Sequence, residues 1–266
     1  MKIKTILVAI AHYGSNNREY LEKCLREYQA YFPEYVVTVY LYLTEMIDVK
    51  EYPGLKIYVT IYKPEIGKML VVQHKQMFHE LRGLYDYYIY CEDDVAISLT
   101  KFNSYASIQN ELPVPYVCGF LRYEYKDGNP YRFLFDQHPI HSCHRGGTTV
   151  IKSNYIIKNE PYFEVYNFHQ GCYVLTRKLL QHAIDSGKYL EQDNYYVGSP
   201  LEGAASDVFY KCGIVKVIPR NRVDKLLVPH LPNKYVKMLP DIYTENTTPN
   251  EVVISQLQTE LEPVYV

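Results

Sequence analysis

The run Tyr87-Tyr88-Ile89-Tyr90-Cys91-Glu92-Asp93-Asp94-Val95 constrains this chain most, because an apolar stretch with the length of a buried strand ends in three adjacent carboxylates. Like charges repel and are costly to desolvate. A carboxylate cluster at such a strand end therefore persists where a hard divalent cation such as Mg²⁺ or Mn²⁺ takes oxygen ligands from it. The plain alternative is a solvated acidic turn, since charged residues after a strand are usually loop surface. The rest of the sequence decides between the two.

Apolar periodicity predicts a first strand over Ile3 to Ala11, a helix over Asn17 to Tyr31 stopped by Pro33, and strands over Val36 to Leu43 and Leu55 to Ile61. Gly67 to Leu84 reads as one helix leading into the strand that ends at the carboxylates. Strands alternating with helices argue for an α/β fold with a mixed, mainly parallel sheet flanked by helices. In such sheets ligands bind at the carboxyl ends of the strands, where Ala11-His12-Tyr13 and Glu92-Asp93-Asp94 both fall.

The second half changes character. Asp127-Gly128 between two β-like runs signals a hairpin, and a long polar stretch follows to about Pro161. Gly171 to Thr176 reads as a strand and Arg177 to Ser186 as a helix closed by Gly187. Ser199-Pro200-Leu201-Glu202 has the capping-box pattern, so a helix starts there. Thr248-Pro249-Asn250-Glu251 repeats the device ahead of a C-terminal helix carrying Val253, Leu257 and Leu261 on one face. The expected organisation is one domain over 1–239, divided near 110, and a tail over 240–266 with a short helix.

Composition narrows the partners. With 266 residues, 47% hydrophobic, the chain can bury a real core, and its net charge of −2 comes without the basic stripe that a nucleic-acid backbone demands. No apolar stretch approaches the ~20 residues of a membrane span. The first residues make a poor signal peptide, and the six scattered cysteines, with no C-x-x-C pair, read as free thiols. The expected location is cytoplasmic, or peripheral to a membrane. Thirty tyrosines and no tryptophan suit either sugar stacking or a compositional bias.

Several segments in order carry a resemblance: the N-terminal strand with its polar loop, His74-Lys75, Glu92-Asp93-Asp94, Asn167 to Thr176, Glu202 to Asp207, and His230-Leu231-Pro232-Asn233-Lys234-Tyr235. Together, over roughly Lys2 to Tyr235, they resemble nucleotide-sugar glycosyltransferases of the GT-A, Rossmann-like fold. The resemblance implies a nucleoside-diphosphate sugar donor, UDP-linked as first choice, with Mn²⁺ or Mg²⁺ bound in the half before residue 110. It also implies a glycan, glycoprotein or lipid-linked acceptor in the half over 111–239.

Under that resemblance Asp94 is the first metal ligand and His230 the late histidine that completes the shell, while Glu92 and Asp93 touch ribose or sugar hydroxyls. Negative charge grows on the departing diphosphate, and a cation stabilises it. A lone histidine before Leu-Pro is otherwise a packed side chain. Arg18, Lys75 and Lys234 are candidate diphosphate contacts, although solvated helix faces explain any one of them equally well. Ala11, His12 and Tyr13 line the nucleoside pocket mainly through backbone groups, and Glu45 meets base or ribose. Gln170 and Gly171 belong to the acceptor side. Glu202 or Asp207 supplies the general base if the reaction inverts the anomeric carbon, with Glu202 also explained as a helix cap.

His138, His141, Cys143 and His144 match no common zinc spacing and suit an acceptor loop better. Two rival functions stay open. A sugar-1-phosphate nucleotidyltransferase shares the layout but usually opens with a Gly-rich phosphate loop, and Ala9 to Arg18 holds only Gly14. A noncatalytic sugar-binding or scaffold protein would keep the fold and bind metal without donor turnover.

Overall fold

The structure is a computed structural model that describes residues 3–125, 132–133, 151–165, 167–195, 198–235 and 263–265. Its elements in chain order begin with β1 (Lys4–His12), α1 (Arg18–Gln29), β2 (Tyr35–Leu43), β3 (Leu55–Ile61), α2 (Gln73–Glu80), β4 (Tyr87–Glu92) and α3 (Leu99–Gln109). There follow β5 (Tyr116–Cys118), β6 (Leu121–Tyr125), β7 (Arg132–Phe133), β8 (Ile151–Ile157), β9 (Glu160–Val165), β10 (Cys172–Thr176) and α4 (Arg177–Asp185). The last are α5 (Pro200–Lys211), β11 (Val215–Pro219), β12 (Leu227–Pro229) and β13 (Pro263–Tyr265).

The first sheet has the order β10-β4-β1-β2-β3. Strands β4, β1, β2 and β3 are parallel, and β10 closes the β4 edge antiparallel, Cys172 opposite Cys91. The path runs outward from β1 through β2 to β3 and then jumps back to β4 on the other side. Such a reversal opens a crevice at the carboxyl ends of β1 and β4, which are in register with Ala11 beside Glu92. Because β10 comes from the second half of the chain, that half is built into the first sheet.

A second sheet has the order β13-β8-β9-β11-β5 and a third β12-β6-β7, both with parallel and antiparallel joins. The fold is therefore α/β with mixed sheets flanked by helices, compatible with a Rossmann-like arrangement. The expectation of a mainly parallel sheet holds for the run from β4 to β3 and not for the molecule.

Three local differences have clear causes. The single helix expected over Gly67 to Leu84 is broken, because Gly67 takes φ +50° inside a 3-10 segment over Pro64–Val72 and α2 starts only after it. The polar stretch expected up to Pro161 ends instead in the hairpin β8-β9, turned by Lys158 and Asn159, both at positive φ. That turn lacks the glycine that usually announces one. The segment expected as tail returns as β13 beside β8. The predicted helix with Val253, Leu257 and Leu261, the Asp127-Gly128 turn itself and the His138 to His144 group lie outside the described residues, although β6 and β7 do pair antiparallel on either side of that turn.

The core uses several of the tyrosines. Ile6 to Ile10 of β1 and Tyr88 to Cys91 of β4 are fully buried, each large apolar side chain contributing ~1.5–3 kcal/mol. Tyr31, Tyr88 and Tyr105 pack among other rings while their hydroxyls donate to the carbonyls of Ile97, Leu81 and Val174 at 3.0, 2.8 and 3.0 Å. The ring fills space and the hydroxyl satisfies a buried carbonyl. The described cysteines are buried free thiols, and no helix among the described residues is long and apolar enough to cross a membrane.

Candidate functional site

Strand β4 delivers Glu92, and the chain then turns through Asp93 and Asp94 against a wall that the sequence holds far away. Strand β12 runs parallel to β6, so His230, the next residue after β12, arrives beside the turn. Backbone bonds fix it there. His230 N–H donates to Tyr123 O at 2.9 Å, Leu231 N–H to Asp94 O at 2.8 Å, and Val95 bridges to His230. Behind the turn Glu92 N–H donates to Gly171 O at 2.8 Å. Gly171 has φ +65°, and a Cβ there would stand 2.8 Å from Val95 Cγ2 and 2.9 Å from Glu92 Oε2, so only glycine fits.

Each acid has a different environment. Asp93 accepts from His12 Nδ1 at 2.6 Å and from Asn17 Nδ2 at 3.3 Å, which ties the end of β1 to the end of β4. Asp94 Oδ2 lies 3.2 Å from His230 Nε2, and the other ring nitrogen, Nδ1, meets Glu124 Oε1. Asp94 Oδ1 is buried without a hydrogen-bond partner. Glu92 sits between Arg122, at 3.7 Å, and His169, at 3.8 Å.

The charges respond accordingly. Burial and the neighbouring Asp94 push the Glu92 carboxyl up to about 8, with Arg122 opposing. Burial raises Asp93 too, despite its bond to His12. Burial also acts upward on Asp94, but the bond to His230 and the Arg122 and Lys234 charges outweigh it and hold that group below the ordinary carboxylate range. For His230 burial acts downward and is outweighed by the bonds to Asp94 and Glu124, so its pKa is raised. Three adjacent carboxylates cannot all ionise cheaply, and of the three only Asp94 has its pKa lowered.

A cavity of about 340 Å³ opens over this turn. Of the residues that the sequence points to, Ala11, Tyr13, Glu92, Asp93, Asp94, Glu202, His230 and Lys234 line it. Glu202 enters from the first turn of α5, where the Ser199 hydroxyl accepts from Leu201 N–H at 3.3 Å. The reciprocal half of the capping box does not form. Glu202 Oε2 is instead buried without a hydrogen-bond partner.

The remaining candidates lie elsewhere. His12 faces away from Ala11 and Tyr13, as strand alternation requires, and spends its Nδ1 on Asp93. Lys75 and Asp207 pair with each other at 3.1 Å, and Lys211 joins them at 3.3 Å from the same oxygen. Arg18 reaches Asp48 O and Glu22 on the surface. Glu45 is exposed, and its neighbour Thr44 is the residue that accepts from the Gly14 amide, at 2.8 Å. Gln170 is wholly buried, accepting from the Arg122 amide at 2.6 Å, and Gly171 supports the acid turn from behind.

Sequence reasoning missed Arg122, Asn17, His169, Leu201, Val71 and Tyr235, which complete the lining. One signal was available in Leu121-Arg122-Tyr123-Glu124-Tyr125. Its two charged residues share a strand face, and that face is buried. Tyr235 stacks on His230 at 5.1 Å with nearly parallel planes, and Lys234 and Arg122 lie 5.0 and 5.8 Å from its ring centre.

Among the described residues no group of three or more His, Cys, Asp and Glu converges as a ready-made metal cage. A two-residue anchor is nevertheless what Mg²⁺ or Mn²⁺ uses when phosphates and waters fill the other positions. Asp94 Oδ2 and His230 Nε2, 3.2 Å apart, would be those two residues. With the unpartnered Asp94 Oδ1 beside them, these residues fit such an ion. No family model matches this chain, and no curated protein matches it.

Proposed function

We propose that this protein is a metal-dependent glycosyltransferase that moves a sugar from a nucleoside-diphosphate sugar, UDP-linked as first choice, to an acceptor hydroxyl. One observation carries the reading. At the carboxyl ends of β1 and β4, a single cavity gathers the Asp94–His230 pair with its unpartnered oxygen, the cations Arg122 and Lys234, and the unpartnered Glu202 carboxylate.

The roles follow from the chemistry of those groups. Asp94 and His230 would hold Mn²⁺ or Mg²⁺, which when bound supplies Lewis-acid stabilisation of the departing diphosphate. Arg122 and Lys234, in place of Arg18 and Lys75, offer a fork and a point charge to phosphate oxygens. Glu92, held between Arg122 and His169, presents its carboxyl to donor hydroxyls. Tyr13 is the exposed ring at the mouth, on the nucleoside side. Glu202, in the first turn of α5, takes the acceptor proton in an inverting displacement.

The test is release of nucleoside diphosphate from a panel of nucleotide sugars with and without Mn²⁺. The reading expects one donor to be hydrolysed slowly and only with metal. Mn²⁺ binding with no turnover of any donor, even with a pool of glycan acceptors, would favour a noncatalytic sugar-binding protein instead.

A further inference from the structure

Strand β6 buries two charged side chains on one face, and only one of them lines the cavity. Arg122 does; Glu124 lies behind it, almost wholly buried, at the far nitrogen of His230. Without a cation the ring can donate from both nitrogens, Nδ1 to Glu124 and Nε2 to Asp94, but an imidazole that ligates a cation is neutral and carries one N–H, so the ligating nitrogen must be the one without it. If Nε2 kept the proton it would donate to Asp94 Oδ2 at 3.2 Å, and the pair would be closed to any cation. If Nδ1 keeps it, two acceptors face each other across that gap, and a cation is what such a pair lacks. The backbone of His230 is pinned by Tyr123 and Val95, and its ring plane by the parallel Tyr235 ring. What remains to be set is the position of the proton.

We propose that Glu124 is a positioning residue that accepts the hydrogen bond from His230 Nδ1–H, leaving the Nε2 lone pair for the divalent cation that Asp94 and His230 would hold. The inference rests on the reading of Asp94 and His230 as a cation anchor. A buried carboxylate behind a ligating histidine fixes its tautomer and raises its basicity, and removing such a partner typically weakens metal binding by about 10- to 100-fold.

The experiment measures Mn²⁺ affinity in the presence of UDP, by the electron paramagnetic resonance of free Mn²⁺, for wild type, Glu124→Gln, Glu124→Leu and Asp94→Asn. Long-range ¹H–¹⁵N spectra of the Mg²⁺–UDP form report which nitrogen of His230 carries the proton. Glu124→Leu is expected to weaken Mn²⁺ toward the hundredfold end of that range and move the proton to Nε2. Glu124→Gln keeps an acceptor for Nδ1–H but not the charge, so about tenfold is expected, with the wild-type tautomer. If the leucine variant does not fold, the glutamine variant decides. Wild-type affinity in either folded variant overturns the proposal and leaves Glu124 a structural acid. Wild-type affinity in Asp94→Asn overturns the cation anchor itself.

Discussion

Among the described residues, two of the buried charge clusters are built to opposite plans. In one, Asp207 receives Lys75 and Lys211 on a single oxygen, and Lys211 also donates to the carbonyls of Glu191 and Asp193. Burial lowers the Lys75 pKa, and Asp207 opposes the shift. That cluster has its donors committed. In the other, Glu92, Asp93, Asp94, Glu124 and Glu202 gather near a cavity, and Asp94 Oδ1 and Glu202 Oε2 have no partner. A cluster whose donors are committed holds the fold, whereas one that leaves carboxylate oxygens unpartnered beside open space is suited to a ligand that brings positive charge to them. The two histidines repeat the contrast. His74, bonded to Val71 O and the Tyr173 hydroxyl, is pushed down by burial to about 3, while the carboxylates beside His230 raise it.

The contrast breaks most visibly at Glu202. Glu202→Gln keeps size and helix start but cannot accept a proton, so turnover of donor with acceptor is expected to fall about 10²- to 10⁴-fold while UDP and Mn²⁺ affinity stay near wild type. An unchanged rate would leave the unpartnered carboxylate without a catalytic role. Asp207→Asn tests the other plan. Leaving buried lysines uncompensated is expected to cost about 3–5 kcal/mol in urea unfolding, with Mn²⁺ affinity unaltered. A stable variant with weakened Mn²⁺ binding would move Asp207 back into the site.

Smaller effects sharpen the picture. His230→Ala removes the neutral ligand outright and is expected to weaken Mn²⁺ with UDP by about a hundredfold, at least as much as Glu124→Leu and less than loss of the Asp94 charge, as calorimetry would read it. His74 predicts a pH effect on stability. Its folded pKa lies below its unfolded value of 6.5, so the unfolded chain binds the extra proton and stability is lost as pH falls below about 6.5. The slope approaches ~1.4 kcal/mol per pH unit, or about 2 kcal/mol between pH 6.5 and 5. His74→Phe is expected to flatten that slope; an identical slope would mean that His74 protonates in the folded state.

The first sheet was legible in the sequence because fully apolar runs alternate with helical spacing, and the acid triplet marked one strand's carboxyl end. The second sheet was not. Its hairpin turns on Lys158-Asn159, and buried polar residues such as Asn154 and Glu164 hide its inward face. Helix α3 was overlooked although Ser98 caps it, accepting from Lys101 N–H at 3.4 Å. Of the cavity lining, Asp94, His230 and Glu202 were singled out because their residue types carry chemistry at strand and helix ends. Arg122 and Glu124 were not, since β6 comes to the site through contacts distant in sequence, its pairing with β12 joining residues over a hundred positions apart. Lys75 and Asp207 were singled out by charge type and pair with each other away from the cavity lining, because charge type shows in a sequence and saturation does not.

The central claim is that the strand-end acids hold a divalent cation together with a nucleoside diphosphate. Calorimetric titration of UDP into wild type and Asp94→Asn, each with and without Mn²⁺, tests it most directly. The account predicts that Mn²⁺ strengthens UDP binding to wild type, and that folded Asp94→Asn, which keeps the shape and loses the charge, shows no such gain. Equal Mn²⁺-dependent affinity in the two proteins would contradict it.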